Sequence, residues 1–289
     1  MGKPVWLAEE TSRSLVKSLL PVRPRQAHKG DFGKLLLLCG SKGLAGAAIL
    51  AARSAQRAGA GLVYLGVPEA IYQAVAGACA SVVVFPLPCD AEGRLCAQAL
   101  PEIEARLADI DAVLLGPGLG RSEDILTITA RLLALCRVPL VLDADGINAV
   151  AGHIDLLRGS SCPVILTPHD GEFQRLGANP RADDRVSEAM AFARESGTVL
   201  LLKGYRTIVT DGVNVYRNPT GNPGMATGGS GDVLSGILVS LLGQRVMPLE
   251  AAAAAAWIHG AAGDFAAREI GEYGMIPEDI IGRIPRLFR

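Results

Sequence analysis

The chain has 289 residues, enough for one large domain or two small ones with a substantial core, and one domain over residues 1–289 is the expectation. Hydrophobic residues make up 49% and charged residues 20%, with a formal net charge of −1, which argues against a nucleic-acid surface and for small-molecule partners. The longest alanine-rich run, AAAAAAWIHGAAGDFAA, meets His259 and Asp264 before it could span a bilayer, and no basic segment followed by an apolar stretch opens the chain, so no membrane partner and a cytoplasmic location are expected.

Residues 1–29, with Pro21, Pro24 and several basic side chains, read as an N-terminal helix and a connector. Short apolar runs then recur: KLLLLCG, GLVYLGV, SVVVFPL, DAVLLGPG, PLVLDADG, PVILTPHDGE and TVLLLKG. Between most of them lie stretches of helical periodicity such as AGAAILAARSAQRAGA and SEDILTITARLLALC, so strand and helix alternate. Strands apolar at consecutive positions suit a parallel sheet covered on both faces, which makes the fold class α/β. The segment RTIVTDGVNVYRN breaks the rhythm, because two alternating runs meet at Asp211-Gly212, a pair suited to a two-residue hairpin turn.

Six cysteines show no C-x-x-C and four histidines no metal-binding spacing, so neither a zinc site nor a disulfide framework is expected, and no metal ligand is assigned. Cys39 and Cys162, beside apolar runs, read as buried, inert thiols. Distinctive polar residues fall where strands end: Gly116 to Gly118, Asp143 and Asp145, Thr167 to Glu172, and Lys203-Gly204. Open α/β sheets bind ligands at that edge, so these clusters point to one crevice.

The densest glycine cluster lies in NPGMATGGSGDVLSGILVSLLG. Consecutive backbone N–H groups of a glycine-rich turn, backed by the N-terminus of a helix, form an anion site suited to phosphate. Asp232 beside such a site has two readings: a helix cap worth about 1 kcal/mol, or a base for a hydroxyl that accepts a phosphoryl group. No G-x-x-x-x-G-K-[ST] occurs, and GPGLGR is only a near miss to a dinucleotide fingerprint.

ATGGSGDVLSG resembles the anion-hole and catalytic-aspartate motif of the ribokinase-like superfamily. Together with GSKGLAGAAILAARSAQRAGAGLV, LLGPGLG, VLDADGINAV, LTPHDGEFQRL and LLKGYRTIVTDG, in that order, it is similar to one branch, the ADP- or ATP-dependent NAD(P)H-hydrate dehydratases. The resemblance runs from about Gly30 onward and implies a ribokinase-like three-layer αβα sandwich with a mostly parallel sheet and a late β-hairpin. It also implies a metabolite-repair lyase. NADH or NADPH that has gained water at C6 of the nicotinamide ring (NADHX, NADPHX) is phosphorylated there by ADP or ATP, and phosphate leaves.

Carried over by motif, Asp232 would activate the hydroxyl, and Gly228, Gly229 and Gly231 would supply the anion hole, Gly231 also touching the nucleotide. Lys203, Gly204, Tyr205, Arg206 and Thr207 match the K-G-x-x-T segment that would hold the nucleotide; for Lys203 the bland alternative is a solvated lysine at a strand end. Ala47, Gly118 and His169 would contact the hydrated cofactor, His169 standing where related vitamin kinases commonly read T-P-N. Asp143 and Asp145 stay open between ordering water or magnesium and capping the next helix; Glu172 stays open between a role near magnesium and a place in a helical turn. Trp257, Ile258 and His259 read as packing.

Leu44 replaces the family's usual methionine, a volume-conserving change. About thirty residues before the match are too few for the epimerase domain fused to many bacterial relatives, so no fused epimerase is expected and a separate one would convert the R hydrate to the S form. Magnesium is implied by phosphoryl transfer, and a homo-oligomer, a tetramer, by the family's habit. Competing readings are a kinase for a vitamin-precursor alcohol and a non-catalytic nucleotide-binding module.

Overall fold

The computed structural model describes residues 11–181 and 184–288; the start of the expected N-terminal helix lies outside them. Nine strands form one sheet: β1 Lys34–Leu38, β2 Leu62–Pro68, β3 Val83–Leu87, β4 Ala112–Leu115, β5 Leu140–Leu142, β6 Val164–Leu166, β7 Val199–Leu202, β8 Ile208–Thr210 and β9 Val215–Arg217. Their order is β3-β2-β1-β4-β5-β6-β7-β8-β9, with β1 to β7 parallel and β8 and β9 antiparallel at one edge. Every apolar run read from the sequence as a strand is one.

The helices are α1 Arg13–Leu19, α2 Ala45–Arg57, α3 Tyr72–Ala78, α4 Leu100–Leu107, α5 Glu123–Leu135, α6 Asp145–Val150, α7 Asp155–Arg158, α8 Asp170–Arg175, α9 Arg185–Ser196, α10 Ser230–Gly243, α11 Pro248–Ile270 and α12 Pro277–Arg283. Alternate residues of β1 explain the layering. Leu35 and Leu37 pack with α2, α10 and α11, whereas Leu36 and Leu38 pack with α4, α5 and α9, and all four are fully buried. A strand buried on both faces has no room for polar alternation, which is why the run reads as continuous leucine.

The chain steps from β1 outward to β2 and β3, then returns past β1 to lay down β4. The reversal opens a crevice between the carboxyl ends of β1 and β4. On one face α10 lies unusually close to α2: a Cβ on Gly236 would come within 2.0 Å of Ser54 Oγ and 2.2 Å of Ala51 O. Glycine there lets the two backbones touch, so α10 is held by main-chain proximity as well as by its leucines.

Two local expectations need correction. The β8–β9 hairpin exists, but Thr210 pairs with Val215, leaving a four-residue loop rather than a two-residue turn. The cause is Asp211, whose Oδ1 accepts from Val213 N at 2.9 Å and Asn214 N at 2.7 Å, a side-chain turn that spends two more residues. Cys39 is buried as expected, but Cys162 is only half-buried. The neighbouring Cys136 thiol draws its pKa down against burial, with help from Ser160 and Arg137.

Candidate active site

The residues after β1, β4, β5, β6 and β7 all emerge on one edge of the sheet, and α10 begins over the same edge. At the crevice, Gly40 N donates to Pro117 O at 2.7 Å and Ser41 Oγ to Gly118 O at 2.7 Å, so the loops after β1 and β4 are stitched together. A Cβ on Gly118 would lie 2.9 Å from the Ala47 methyl, which places two of the expected cofactor contacts side by side.

Asp143 follows β5 and is 1% exposed. Its Oδ1 accepts from Lys203 Nζ at 2.9 Å and from Thr167 Oγ1 at 2.8 Å, and its Oδ2 accepts from Ser235 Oγ at 2.6 Å. It is therefore an ion-pair hub and not a helix cap; α6 has Ala144 at its cap position with no side-chain bond. Ala144 has φ 48° and ψ −110°, a strained conformation for an L-residue that costs about 1–3 kcal/mol and persists only where its surroundings enforce it. Asp145 turns aside to accept from Gly120 N at 2.8 Å and Asn148 Nδ2 at 3.1 Å.

Lys203 is not the solvated strand-end lysine of the bland reading. Its side chain is 19% exposed and lies 2.9 Å from Asp143 and 3.7 Å from Glu172. Burial works against its charge, yet the carboxylates of Asp143 and Glu172 outweigh that and raise its pKa above the ordinary lysine value. The next residues form a strap. Gly204 has φ 147°, Arg206 has φ 54°, Thr207 Oγ1 donates to Gly204 O at 3.0 Å, and the Tyr205 ring is fully in solvent. Arg185 anchors the strap by donating to Lys203 O at 3.0 Å while pairing with Asp170 at 2.6 Å.

His169 caps α8. Its Nδ1 accepts from Gly171 N at 2.9 Å and Glu172 N at 3.3 Å, while Glu172 Oε2 accepts from His169 N at 2.8 Å, a reciprocal capping box. With Nδ1 accepting, the ring hydrogen sits on Nε2, which lies 3.5 Å from Glu172 Oε1. Of its two open readings Glu172 fits the place in the first helical turn, and its other neighbour is Lys203 at 3.7 Å.

The glycine turn enters α10 through Gly229 at φ 92°, where a Cβ would strike Leu50 of α2 at 2.6 Å. Gly231 is packed toward the lysine, a Cβ there lying 3.4 Å from Lys203 Nζ. Gly228 faces open space, with nothing within 4 Å of a Cβ. Asp232 stands in the first turn and makes no capping bond, so the cap reading fails. Burial raises its carboxyl pKa, Asp143 raises it further, and Lys203 only partly opposes them, for a value of about 7. A carboxylate that wants a proton near neutral pH, beside backbone N–H groups at a helix N-terminus, is equipped to deprotonate a hydroxyl while those groups stabilise negative charge.

Two members of this cluster lie inside ATGGSGDVLSG with no expected role: Ser235, a small polar residue inside an apolar helix, and Ser230, whose Oγ lies 3.2 Å from His259 Nε2. His259, expected to serve packing, also has this polar partner. Burial pulls its pKa down to about 4 against the Ser230 bond, so it is a neutral partner of the turn. Among the described residues, no group of three His, Cys, Asp or Glu side chains could hold a metal ion, and none of the helices is long and apolar enough to cross a membrane.

The site's motifs match known proteins. The family model described as NAD(P)H-hydrate dehydratase matches residues 35–286. The chain is 45% identical over 278 residues to the bifunctional NAD(P)H-hydrate repair enzyme Nnr of Moorella thermoacetica, covering 94% of this chain and 52% of that protein. It thus spans about half the length of such bifunctional relatives. It is 36% identical over 280 residues to the ADP-dependent (S)-NAD(P)H-hydrate dehydratase of Cenarchaeum symbiosum, covering 95% of this chain and 94% of that one. Among solved structures it resembles the ADP/ATP-dependent NAD(P)H-hydrate dehydratase of Bacillus subtilis co-crystallised with ATP and Mg2+, with a TM-score of 0.82, 29% identity and 97% of each chain covered. With a crevice, an anion turn and a match over most of its length, the chain belongs to the NAD(P)H-hydrate dehydratase family.

Proposed function

We propose that this domain dehydrates the S epimer of NADHX and NADPHX, using ADP or ATP as phosphoryl donor. The observation that carries the reading is the Asp232 carboxyl, with a pKa of about 7, at the mouth of the glycine turn. Asp232 takes the proton of the C6 hydroxyl as its oxygen bonds to the terminal phosphorus of the nucleotide. The phosphorus–oxygen bond to the rest of the nucleotide breaks, and the shortened nucleotide leaves. The N–H groups of Gly228, Gly229 and Gly231 and the Lys203 ammonium face the charge on the transferred group. Hydroxide leaves carbon poorly and phosphate well. The ring nitrogen's lone pair expels phosphate from C6, and loss of the C5 proton restores the dihydropyridine.

Ala47 and Gly118 leave the crevice floor low enough for a dinucleotide to approach the backbone, and His169 donates from Nε2 to the hydrated cofactor. The strap of Gly204, Tyr205, Arg206 and Thr207 runs beside the nucleotide. Phosphoryl transfer calls for magnesium, which would arrive on the nucleotide's phosphates. Among the described residues the side chains form no cage for it, since Asp143 and Glu172 both face Lys203. Epimerisation of the R hydrate falls to an activity other than this domain's.

The test is incubation with S-NADH hydrate, magnesium and either ADP or ATP, following NADH absorbance and inorganic phosphate, with Asp232→Asn alongside. Wild type should regenerate NADH and the variant should not. Absence of NADH with both nucleotides would sink the reading and turn attention to vitamin-precursor alcohols, whose phosphomonoesters would accumulate.

A further inference from the structure

We propose that Asp143 is the positioning residue of this site, a buried anion that ties Lys203 at the end of β7 to Ser235 of α10 and so holds the ammonium against the turn where Asp232 works. The inference rests on the dehydratase reading. Three donors converge on one carboxylate from three separate elements, the loop after β6, the end of β7 and α10. A buried carboxylate is tolerable only when its lone pairs are met in this way. The strained Ala144 next in the chain and the close approach of Gly116 to the Asp143 carbonyl show that the backbone is held there against its local preference.

Asp143 has two effects on the chemistry. It holds Lys203 Nζ within 3.4 Å of a Cβ position on Gly231, inside the anion turn. Its charge also disfavours the ionised form of Asp232. The other ionisable groups around α10 do not substitute for it. Burial keeps Cys39 a thiol and His259 neutral, and Glu172 acts across Lys203 at 3.7 Å. Arg53 of α2 is spent on Ala78 O and Asp279 of α12 on Arg283. Asp143 itself touches no reacting atom in this scheme; it acts through Lys203 and Asp232.

The experiment measures kcat/KM against pH for NADH regeneration in wild type, Asp143→Asn, Lys203→Met and the double variant. Asp143→Asn should lower the rate by about 10²-fold, the scale of an ångström's misplacement. The acid limb of its profile should move to lower pH, because a like charge beside Asp232 has gone. A residue that merely supported the fold would leave that limb in place. The double variant removes both buried charges together and so keeps a folded protein available if the single does not fold. At pH values above the acid limb, where Asp143 acts only through Lys203, it should fall no more than about threefold below Lys203→Met. An unmoved acid limb in Asp143→Asn, or losses that multiply in the double variant, would overturn the proposal. Failure of wild type to regenerate NADH would instead count against the dehydratase reading itself.

Discussion

Gly116 and Gly228 both stand in glycine-rich turns at the same edge of the sheet, and they are glycine for opposite reasons. At Gly116 the backbone is at φ 136°, and a Cβ would lie 1.8 Å from Asp143 O and 2.7 Å from Gly146 N. At Gly228 the backbone is not in the left-handed region, and a Cβ would meet nothing within 4 Å. The first glycine is demanded by the protein's own main chain, the second by nothing in the protein. A glycine the fold does not need, at the mouth of a helix N-terminus, is available to the proposed anion turn.

The sharpest way to break that contrast is Gly116→Ala. With a backbone oxygen in the way and an unfavourable φ, it should cost about 3 kcal/mol or more, read as a large fall in Tm or loss of soluble protein. Asp232→Asn probes the open turn instead. NADH regeneration should drop by about 10²- to 10⁴-fold with the fold intact. In wild type kcat/KM should decline as pH falls through about 7, where Asp232 gains its proton.

Next comes Gly228→Ala, which should leave Tm nearly unchanged, within about 0.5 kcal/mol, yet lower turnover by at least about tenfold. Equal damage to Tm in the two alanine variants would dissolve the comparison. The smallest kinetic effect is expected from His169→Asn. An asparagine oxygen still caps α8 but offers no donor where Nε2–H stood, so KM for the hydrate should rise about fivefold, one neutral hydrogen bond, with Tm held.

Asp232→Asn also makes a thermodynamic prediction. The folded-state pKa of Asp232 lies above the unfolded value, so the folded protein binds the proton more tightly, and stability is lost as pH rises from about 4 through about 7. At pH 8 wild type carries that cost and the asparagine variant does not. A gain of about 1–2 kcal/mol, roughly 3–6 °C in Tm, is expected at pH 8, should shrink as pH falls and should largely vanish only below about pH 4.

The layered sheet was legible because each core strand is apolar at consecutive positions, and burial on both faces leaves no other pattern. The anion turn was legible because its glycines and Asp232 are contiguous. Asp143 was not: DADG reads like a cap, and its partner Lys203 lies 60 residues away with no local feature pointing back. Ser235 looked like one more small residue in a helix, and His259 was hidden for the same reason. The hairpin loop is two residues longer than the Asp211-Gly212 pair suggests because the Asp211 side chain sets its length. For Asp143, Ser235 and His259 the missed information lay in pairing across elements, which spacing along the chain does not encode.

The seat of α10 on α2 bears on how the site meets its nucleotide. With Gly236 pressed on Ser54 and Ala51, and Gly229 pressed on Leu50, the helix that carries the anion turn cannot swing as a lid without unpacking the core. The backbone donors are therefore oriented when the chain folds, and folding bears the entropy of assembling them. In the proposed reaction a nucleotide would meet a finished receptor at this edge, and its binding free energy would remain available for placing the phosphorus on the hydroxyl.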